Sequence, residues 1–99
     1  MDEDIAVGWN LISSYGLTLL CLARNPDATL LDVSRRTGLT PRRVGQIVRE
    51  LHEAKLFSIE RRGRRNAYRM NRDAPLNEVS MPDSTLGDFL DLFDAVSGH

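Results

Sequence analysis

Arginine is the side chain of this 99-residue sequence with the greatest capacity to bind anions, and it is distributed unevenly along the chain. Between residues 35 and 72, eleven arginines and one lysine face only three glutamates, a net charge of +9. Residues 1–34 have a net charge of −4 and residues 73–99 a net charge of −6, so the total of −1 conceals a cationic middle. A planar guanidinium donates paired hydrogen bonds to phosphates, carboxylates and base edges. The asymmetry therefore predicts a polyanionic partner.

Residues that bind metals or act as nucleophiles are few and badly spaced. The single cysteine, Cys21, lies in an apolar run, where a buried inert thiol is expected, and it cannot form an internal disulfide. His52 and His99 have no neighbours at metal-ligand spacing, no nucleophile has an evident base partner, and there is no glycine-rich phosphate loop. We therefore predict no enzyme activity, no cofactor and no metal site.

Targeting signals are also missing from the sequence. The N-terminal segment MDEDIAVGW is acidic and lacks the basic-then-apolar order of a signal peptide. No apolar run approaches the roughly 20 residues that span a bilayer. We expect a cytoplasmic protein without membrane contact, and 41% hydrophobic content predicts a single small domain over residues 1–99.

Two helices are predicted in the first part of the chain. Residues 14–24 are nearly continuously apolar and predict a helix that is covered on more than one side. Thr29 and Asp32 have the spacing of a capping box, which opens a short helix that ends at Gly38. The positions expected to be buried in this short helix include Leu30, Leu31 and Val33.

A third helix, predicted over about residues 41–54, has one apolar and one polar face. Thr40 is its expected cap, and Pro41 suits its first turn. At about 100° per residue, the apolar face consists of Val44, Ile47, Val48 and Leu51. The opposite face consists of Arg42, Gln46, Arg49 and Glu53, with Arg43 on its flank. Gly45 costs this helix about 1 kcal/mol against alanine, either to allow a partner close to the backbone or as a tolerated defect.

A β-hairpin and a last helix follow. Residues 56–61 alternate with a period of two, and residues 66–71 return as a second strand after a turn around Gly63. The hairpin tip is basic and carries Arg62, Arg64 and Arg65. Thr85 opens a helix over about residues 85–96, whose apolar face consists of Leu86, Phe89, Leu90, Phe93 and Val96. The fold class is mainly α with a small β-hairpin, α+β.

The two middle helices, joined by a short glycine turn, form a helix-turn-helix unit over about residues 29–54. The segment TLLDVSRRTGLTPRRVGQIVRELHEAKLFSIERRGRRNAYRMN resembles the winged helix-turn-helix domain of bacterial transcriptional regulators of the MarR-like and ArsR-like kind. The register of residues 37–40 and the hairpin over about residues 56–71, which would be the wing, carry the resemblance. It implies one winged-helix DNA-binding domain with flanking N- and C-terminal helices. MarR-like proteins generally run longer, and ArsR-like sensors often carry paired cysteines that this chain lacks.

The resemblance implies a role for each exposed cation. The helix that starts at Thr40 would be the recognition helix and would lie in the major groove of double-stranded DNA. Arginine pairs with guanine and glutamine with adenine, so we expect Arg42 and Gln46 to read bases. Arg43 and Arg49 would be divided between bases and phosphates, and the wing arginines would contact the backbone or the minor groove. The predicted DNA-binding residues are Thr40, Arg42, Arg43, Gln46, Arg49, Arg62, Arg64 and Arg65.

Two alternatives stay open for this surface. An exposed arginine is often only a solvated side chain, and Arg49 could pair with Glu53 one turn later. The arginines could also bind an acidic protein, which would make the chain a protein-interaction winged helix without DNA binding. Absence of detectable DNA binding even at low salt would favour that second alternative.

Assembly is the last prediction from the sequence. The resemblance implies a homodimer that binds a roughly palindromic site. The predicted interface consists of Leu86, Phe89, Leu90 and Phe93. The first and last helices could instead pack on each other within one chain. The sequence does not determine whether a small-molecule effector binds.

Overall fold

The computed structural model describes residues 12–76 and 83–97, and side chains as far as residue 93. The elements are α1 (Ser14–Arg24), α2 (Leu30–Thr37), α3 (Pro41–Glu53), β1 (Phe57–Arg62), β2 (Arg65–Met70) and α4 (Leu86–Ser97). The predicted α+β class and the order of elements are confirmed. Within the described residues, no helix has both the length and the apolar character needed to cross a membrane.

Short-range hydrogen bonds begin the helices at the predicted caps. The Thr29 hydroxyl accepts from the Asp32 backbone N–H, and the Asp32 carboxylate accepts from the Thr29 N–H, both at 3.0 Å. Thr85 and Asp88 form the same reciprocal pair at the start of α4, at 3.0 and 3.2 Å. Gly38 closes α2 with φ of +82°, a left-handed conformation that glycine adopts without a Cβ penalty. Local sequence therefore sets the helix boundaries.

The core forms around α1, which is buried on more than one side as predicted. Leu22 at its centre is fully buried, and α1 contacts α2, α3 and β2. Cys21 is buried in the same helix, and desolvation raises the pKa of its thiol. A raised pKa keeps a thiol protonated and poorly reactive. The fully buried Thr18 donates its hydroxyl hydrogen to the Ser14 carbonyl at 2.9 Å, so its polar group is satisfied within the helix.

The expected burial of two leucines in α2 is wrong. Leu30 and Leu31 are 38% and 48% exposed, whereas Val33 is fully buried. Leu31 lies two positions before Val33, and successive helical positions turn by about 100°, so the two side chains point to nearly opposite sides. Leu30 lies on the flank of α2, with its Cδ1 next to Gly45 of α3.

The hairpin has the predicted antiparallel pairing, with strand ends shifted by one residue. Phe57 pairs with Met70 at its base and Arg62 with Arg65 at its tip. Gly63 opens the two-residue turn with φ of +62°, as expected for a tight hairpin. The Tyr68 backbone N–H donates to the Pro26 carbonyl at 3.0 Å, which attaches the hairpin to the α1–α2 connection.

The last helix packs on the core of its own chain. Leu86 is fully buried and Leu90 is 5% exposed, while Phe89 and Phe93 are half-buried. Phe89 extends to the start of α1, where a Cβ built on Gly16 would lie 3.3 Å from its ring. The first and last helices therefore meet within one chain. The Val96 side chain lies outside the described residues.

The connection before α4 is held by Arg72. The backbone N–H of Gly87 donates to the Arg72 carbonyl at 2.8 Å, and the Arg72 guanidinium pairs with Asp91. A Cβ at Gly87 would lie 3.0 Å from that carbonyl oxygen, so a larger residue would force the segment away. Arg72 thus contributes both its carbonyl and its guanidinium to holding the start of α4.

The capping box of α2 predicts a pH dependence. The Thr29 backbone N–H, and after it the Thr29 hydroxyl, hold the pKa of the Asp32 carboxyl below its ordinary value. The stabilisation is present above the ordinary pKa of about 3.9 and is lost as pH falls through the lowered folded-state pKa. Asp32→Asn keeps an acceptor oxygen but removes the charge. Urea unfolding should show that this variant is less stable than the parent at pH 7, with the difference shrinking towards pH 3. A difference that stays constant with pH would contradict this prediction.

Candidate nucleic-acid interface

Helix α3 turns one face into the core and leaves the other exposed. Val44 and Ile47 are fully buried, and Val48 and Leu51 are 8% and 6% exposed. Arg42, Gln46 and Arg49 lie on the opposite side and are exposed. Because the helix is rigid, burial of the apolar residues determines the direction of the polar ones. The predicted orientation of α3 is confirmed.

The turn that leads into α3 is fixed by side-chain hydrogen bonds. The Thr40 hydroxyl accepts from the Arg43 N–H at 3.1 Å and so caps the helix. Ser34 donates its hydroxyl hydrogen to the Leu39 carbonyl, and Thr37 accepts from the Leu39 N–H at 3.2 Å. Thr40 is therefore a structural cap, exposed beside the predicted reading face.

Three of the predicted arginines have side chains that extend into solvent. Arg42, Arg49 and Arg64 are exposed, and no described residue forms a hydrogen bond or an ion pair with their side chains. Arg49 and Glu53 both lie in the described part of the chain, and they do not form the ion pair considered above as an alternative. A guanidinium without an internal partner keeps all its donors for an external anion. Among the predicted DNA-binding arginines, these three keep all their donors available within the described part of the chain.

The other arginines at the tip of the wing have partners within the protein. Arg65 donates from Nη1 to the Asp27 carbonyl at 3.1 Å, joining the tip of the wing to the α1–α2 connection. Arg62 pairs with Glu60 at 3.3 Å along the same strand. Arg61, which the sequence did not single out, donates from Nε to the Gly63 carbonyl at 2.8 Å and braces the turn. The tip of the wing, residues 61–65, thus presents one unpartnered arginine within the described residues, Arg64, beside three partnered ones.

Arg43 differs from the other arginines of α3 because it is half-buried. Its guanidinium carbon lies 5.4 Å from the centre of the Tyr15 ring, within the range of a cation–π contact. Its Nη1 also donates to Gln46 Oε1 at 3.3 Å. Tyr15 in turn donates its hydroxyl hydrogen to Glu50 at 2.7 Å. Sequence reasoning missed Tyr15, because nothing in local spacing connects residue 15 to residue 43.

A cleft of mixed charge lies where α1, α2 and the wing meet. Its volume is about 360 Å³, and its charged lining residues are Arg24, Asp27, Asp32, Arg36 and Arg65. Two carboxylates among three guanidiniums leave this cleft only weakly cationic, unlike the exposed face of α3. A second, open groove of about 680 Å³ lies between the end of α3 and the base of the hairpin, lined in part by His52, Lys55 and Arg69. Over residues 12–76 and 83–97, no cluster of three or more His, Cys, Asp or Glu residues could hold a metal ion.

α3 ends with a left-handed residue that is not glycine. Lys55 has φ of +65°, and the Leu56 N–H donates back to the Leu51 carbonyl at 3.2 Å. The Asn71 side chain donates to the Lys55 carbonyl at 3.2 Å, so the hairpin base supports this conformation. The direction of the chain from α3 into the wing is therefore set by a contact across the hairpin.

Comparison with known proteins agrees with this geometry. Residues 18–56 match the family described as winged helix-turn-helix DNA-binding, which confirms the predicted motif over most of α1 and all of α2 and α3. The fold is similar to that of MepR, a transcription regulator of the Staphylococcus aureus multidrug efflux pump MepA. That similarity has a TM-score of 0.56 and 20% sequence identity, and covers 96% of this chain and 67% of MepR. No curated protein sequence matches this chain.

Gly45 provides a test of the exposed face of α3. A Cβ at this position would meet only the Leu30 Cδ1, at an ordinary contact distance of 3.7 Å. Gly45→Ala should therefore raise the free energy of unfolding by about 1 kcal/mol, since alanine is the better helix former. Thermal unfolding should show a rise in Tm of roughly 4–8 °C for a domain of this size.

Gly38→Ala is the matched control for this substitution. Gly38 has a φ of +82°, which strains any side chain, so its change to alanine should lower the free energy of unfolding by about 1 kcal/mol.

The DNA affinity of Gly45→Ala then separates the two interpretations of Gly45. A drop would indicate close backbone approach, and no change would indicate a tolerated defect. A loss of stability in Gly45→Ala would contradict the open space seen beside α3.

Proposed function

We propose that this chain is a sequence-specific transcription regulator that binds double-stranded DNA with α3 in the major groove. The observation that carries the proposal is the exposed face of α3. Arg42, Gln46 and Arg49 point away from the core there, on a helix-turn-helix whose caps and turn are fully formed. The winged helix-turn-helix DNA-binding family matched by residues 18–56 supports the same partner. A DNA partner implies a cytoplasmic location in a bacterial cell.

Each side chain has a role that suits its environment. Arg42 and Gln46 read base edges through paired hydrogen bonds. Arg49 and Arg64 contact phosphates, where a cation attracts DNA of any sequence. Arg62 and Arg65 are partly engaged within the protein, so only their remaining donors are available to the DNA backbone. The proposed function thus combines two side chains that read bases with other arginines that contact the DNA backbone.

We also propose a homodimer, with a narrower interface on α4 than the sequence indicated. Leu86 and Leu90 are buried in the chain's own core and are not available to a second subunit. Leu92 is 60% exposed, and the half-buried rings of Phe89 and Phe93 lie next to each other, with their centroids 5.2 Å apart. These three side chains form the apolar surface of α4 that a second copy would cover. A two-fold dimer would read a roughly palindromic site.

Salt dependence tests the DNA partner. Affinity for a duplex of mixed sequence, measured by fluorescence anisotropy, should fall steeply between 50 and 200 mM salt, because each phosphate contact releases counterions. Arg64→Ala should weaken binding to all sequences alike and reduce the slope of log K against log salt by about 1. Gln46→Ala should leave the slope unchanged and relax the sequence preference. Absence of binding at low salt would favour an acidic protein as the partner, and identical behaviour of the two variants would contradict the division of roles.

Sedimentation velocity tests the dimer. The parent chain should sediment as a dimer at micromolar concentration, and Leu92→Glu should raise the dissociation constant at least about tenfold, because a buried unpaired charge is costly. Leu31→Glu is the matched control, since Leu31 is similarly exposed but lies on α2. A parent chain that stays monomeric at this concentration, or equal effects of the two variants, would rule out the α4 interface.

A further inference from the structure

We propose that Tyr15 and Arg43 are positioning residues that fix the orientation of the Gln46 side-chain amide. The oriented amide then selects adenine over guanine at the base pair that Gln46 contacts. This inference rests on the DNA-binding function proposed above and assigns it one element of its specificity. It also changes the role of Arg43, which the sequence placed among residues that contact DNA directly.

Arg43 is held on the protein side of α3. It is half-buried, and its guanidinium lies over the Tyr15 ring at 5.4 Å, whereas Arg42 beside it is exposed. A guanidinium over a tyrosine ring is attracted by the negative face of the ring. The side chain is therefore directed to the flank where α1 meets α3, and not away from the helix like that of Arg42.

Tyr15 is itself fixed from its other end. Its hydroxyl donates to the Glu50 carboxylate at 2.7 Å, a short hydrogen bond to a charged acceptor. Glu50 and Arg43 lie two helical turns apart on the same side of α3, so the tyrosine lies between a cation and an anion of one helix. Both contacts restrict the ring that supports Arg43.

The Arg43 guanidinium then determines which end of the Gln46 amide it faces. Its Nη1 donates to Gln46 Oε1 at 3.3 Å. A guanidinium can only donate hydrogen bonds, whereas an amide has an accepting oxygen and a donating NH₂ group of nearly the same shape. Rotating the Gln46 amide by 180° would place donor against donor. Arg43 therefore holds the oxygen on its own side and leaves the NH₂ group at the other end of the amide.

The oriented amide matches adenine better than guanine. Adenine presents an N7 acceptor and an N6 amino donor in the major groove, which a glutamine satisfies with NH₂ and oxygen respectively. The Gln46 oxygen has two lone pairs, so it can accept from Arg43 and from adenine together. Guanine presents two acceptors, N7 and O6, and the Gln46 oxygen would face one of them. The fixed amide thus turns a flexible side chain into a selective one.

The experiment measures two quantities for each variant, the preference for adenine over guanine and the slope of log K against log salt. Selection from a random duplex pool identifies the adenine contacted by Gln46, as the position whose preference is lost in Gln46→Ala. Anisotropy then measures binding to two duplexes that differ only by A·T or G·C at that position. Arg43→Met should reduce the preference for adenine by about tenfold, since a paired base contact discriminates by roughly 1–3 kcal/mol. The salt slope should stay that of the parent, because Arg43 contacts no phosphate.

Matched variants separate positioning from direct contact. Arg49→Met should lower affinity for both duplexes equally and reduce the salt slope by about 1. Tyr15→Phe keeps the ring but removes the hydrogen bond to Glu50, so its loss of preference should be smaller than that of Arg43→Met. Arg43→Lys retains a donor for Gln46 Oε1 and should restore part of the preference. An Arg43→Met variant that loses salt slope as Arg49→Met does, or that keeps the full preference for adenine, would overturn the proposal.

A measurement without DNA separates failure of this inference from failure of the proposed function. In the free protein, the NMR order parameter of the Gln46 side-chain NH₂ group should fall in Arg43→Met, because the amide is released. The same fall is expected, to a smaller extent, in Tyr15→Phe, while melting curves report whether each variant is folded. An unchanged order parameter in folded Arg43→Met would overturn the positioning role even if DNA binding is observed. A reduced order parameter together with no binding to any duplex would instead contradict the DNA-binding function.

Discussion

Burial of one face of α3 against α1 is the interaction on which the rest of this structure depends. Val44 and Ile47 are fully buried, and Leu22 of α1 is fully buried beneath them in the same core. Burial of each such side chain contributes roughly 1.5–3 kcal/mol, which far exceeds the worth of a surface ion pair. Because α3 is a rigid helix, this burial also decides that Arg42, Gln46 and Arg49 are turned outwards. Stability and the presentation of the exposed polar face of α3 therefore come from the same contact.

The arginines divide into those that build the surface and those that it offers to a partner. Arg65 and Arg61 brace the hairpin, Arg72 fixes the start of α4, and Arg43 lies over Tyr15. The guanidinium of an arginine with an internal partner is restricted, and some of its donors are already used within the protein. The net charge of +9 between residues 35 and 72 thus overstates how many cations are available to an external anion.

Much of the fold could be predicted because the decisive patterns are local. The capping box at Thr29, the left-handed glycine at position 38 and the hairpin turn at Gly63 each act within a few residues. The alternation of apolar and polar residues in α3 follows from the helical period alone. The same helical period explains the prediction that failed, the expected burial of Leu31. Leu31 was expected in the core although it lies on the opposite side of α2 from Val33, and it is 48% exposed.

The sequence by itself determined the boundaries of the helices, the hairpin turn, the buried face of α3 and the segregation of charge along the chain. Only the tertiary structure decided that Arg43, Arg65 and Arg72 are engaged with Tyr15, Asp27 and Asp91, since these partners lie far away in the sequence. Arg43 meets Tyr15 and Arg65 meets Asp27 only after the elements have packed. The same packing buried Leu86 and Leu90 in the chain's own core and left Leu92 exposed. The physical reason is that caps and helical periods act over a few residues, whereas the environment of a side chain depends on every element that packs against it.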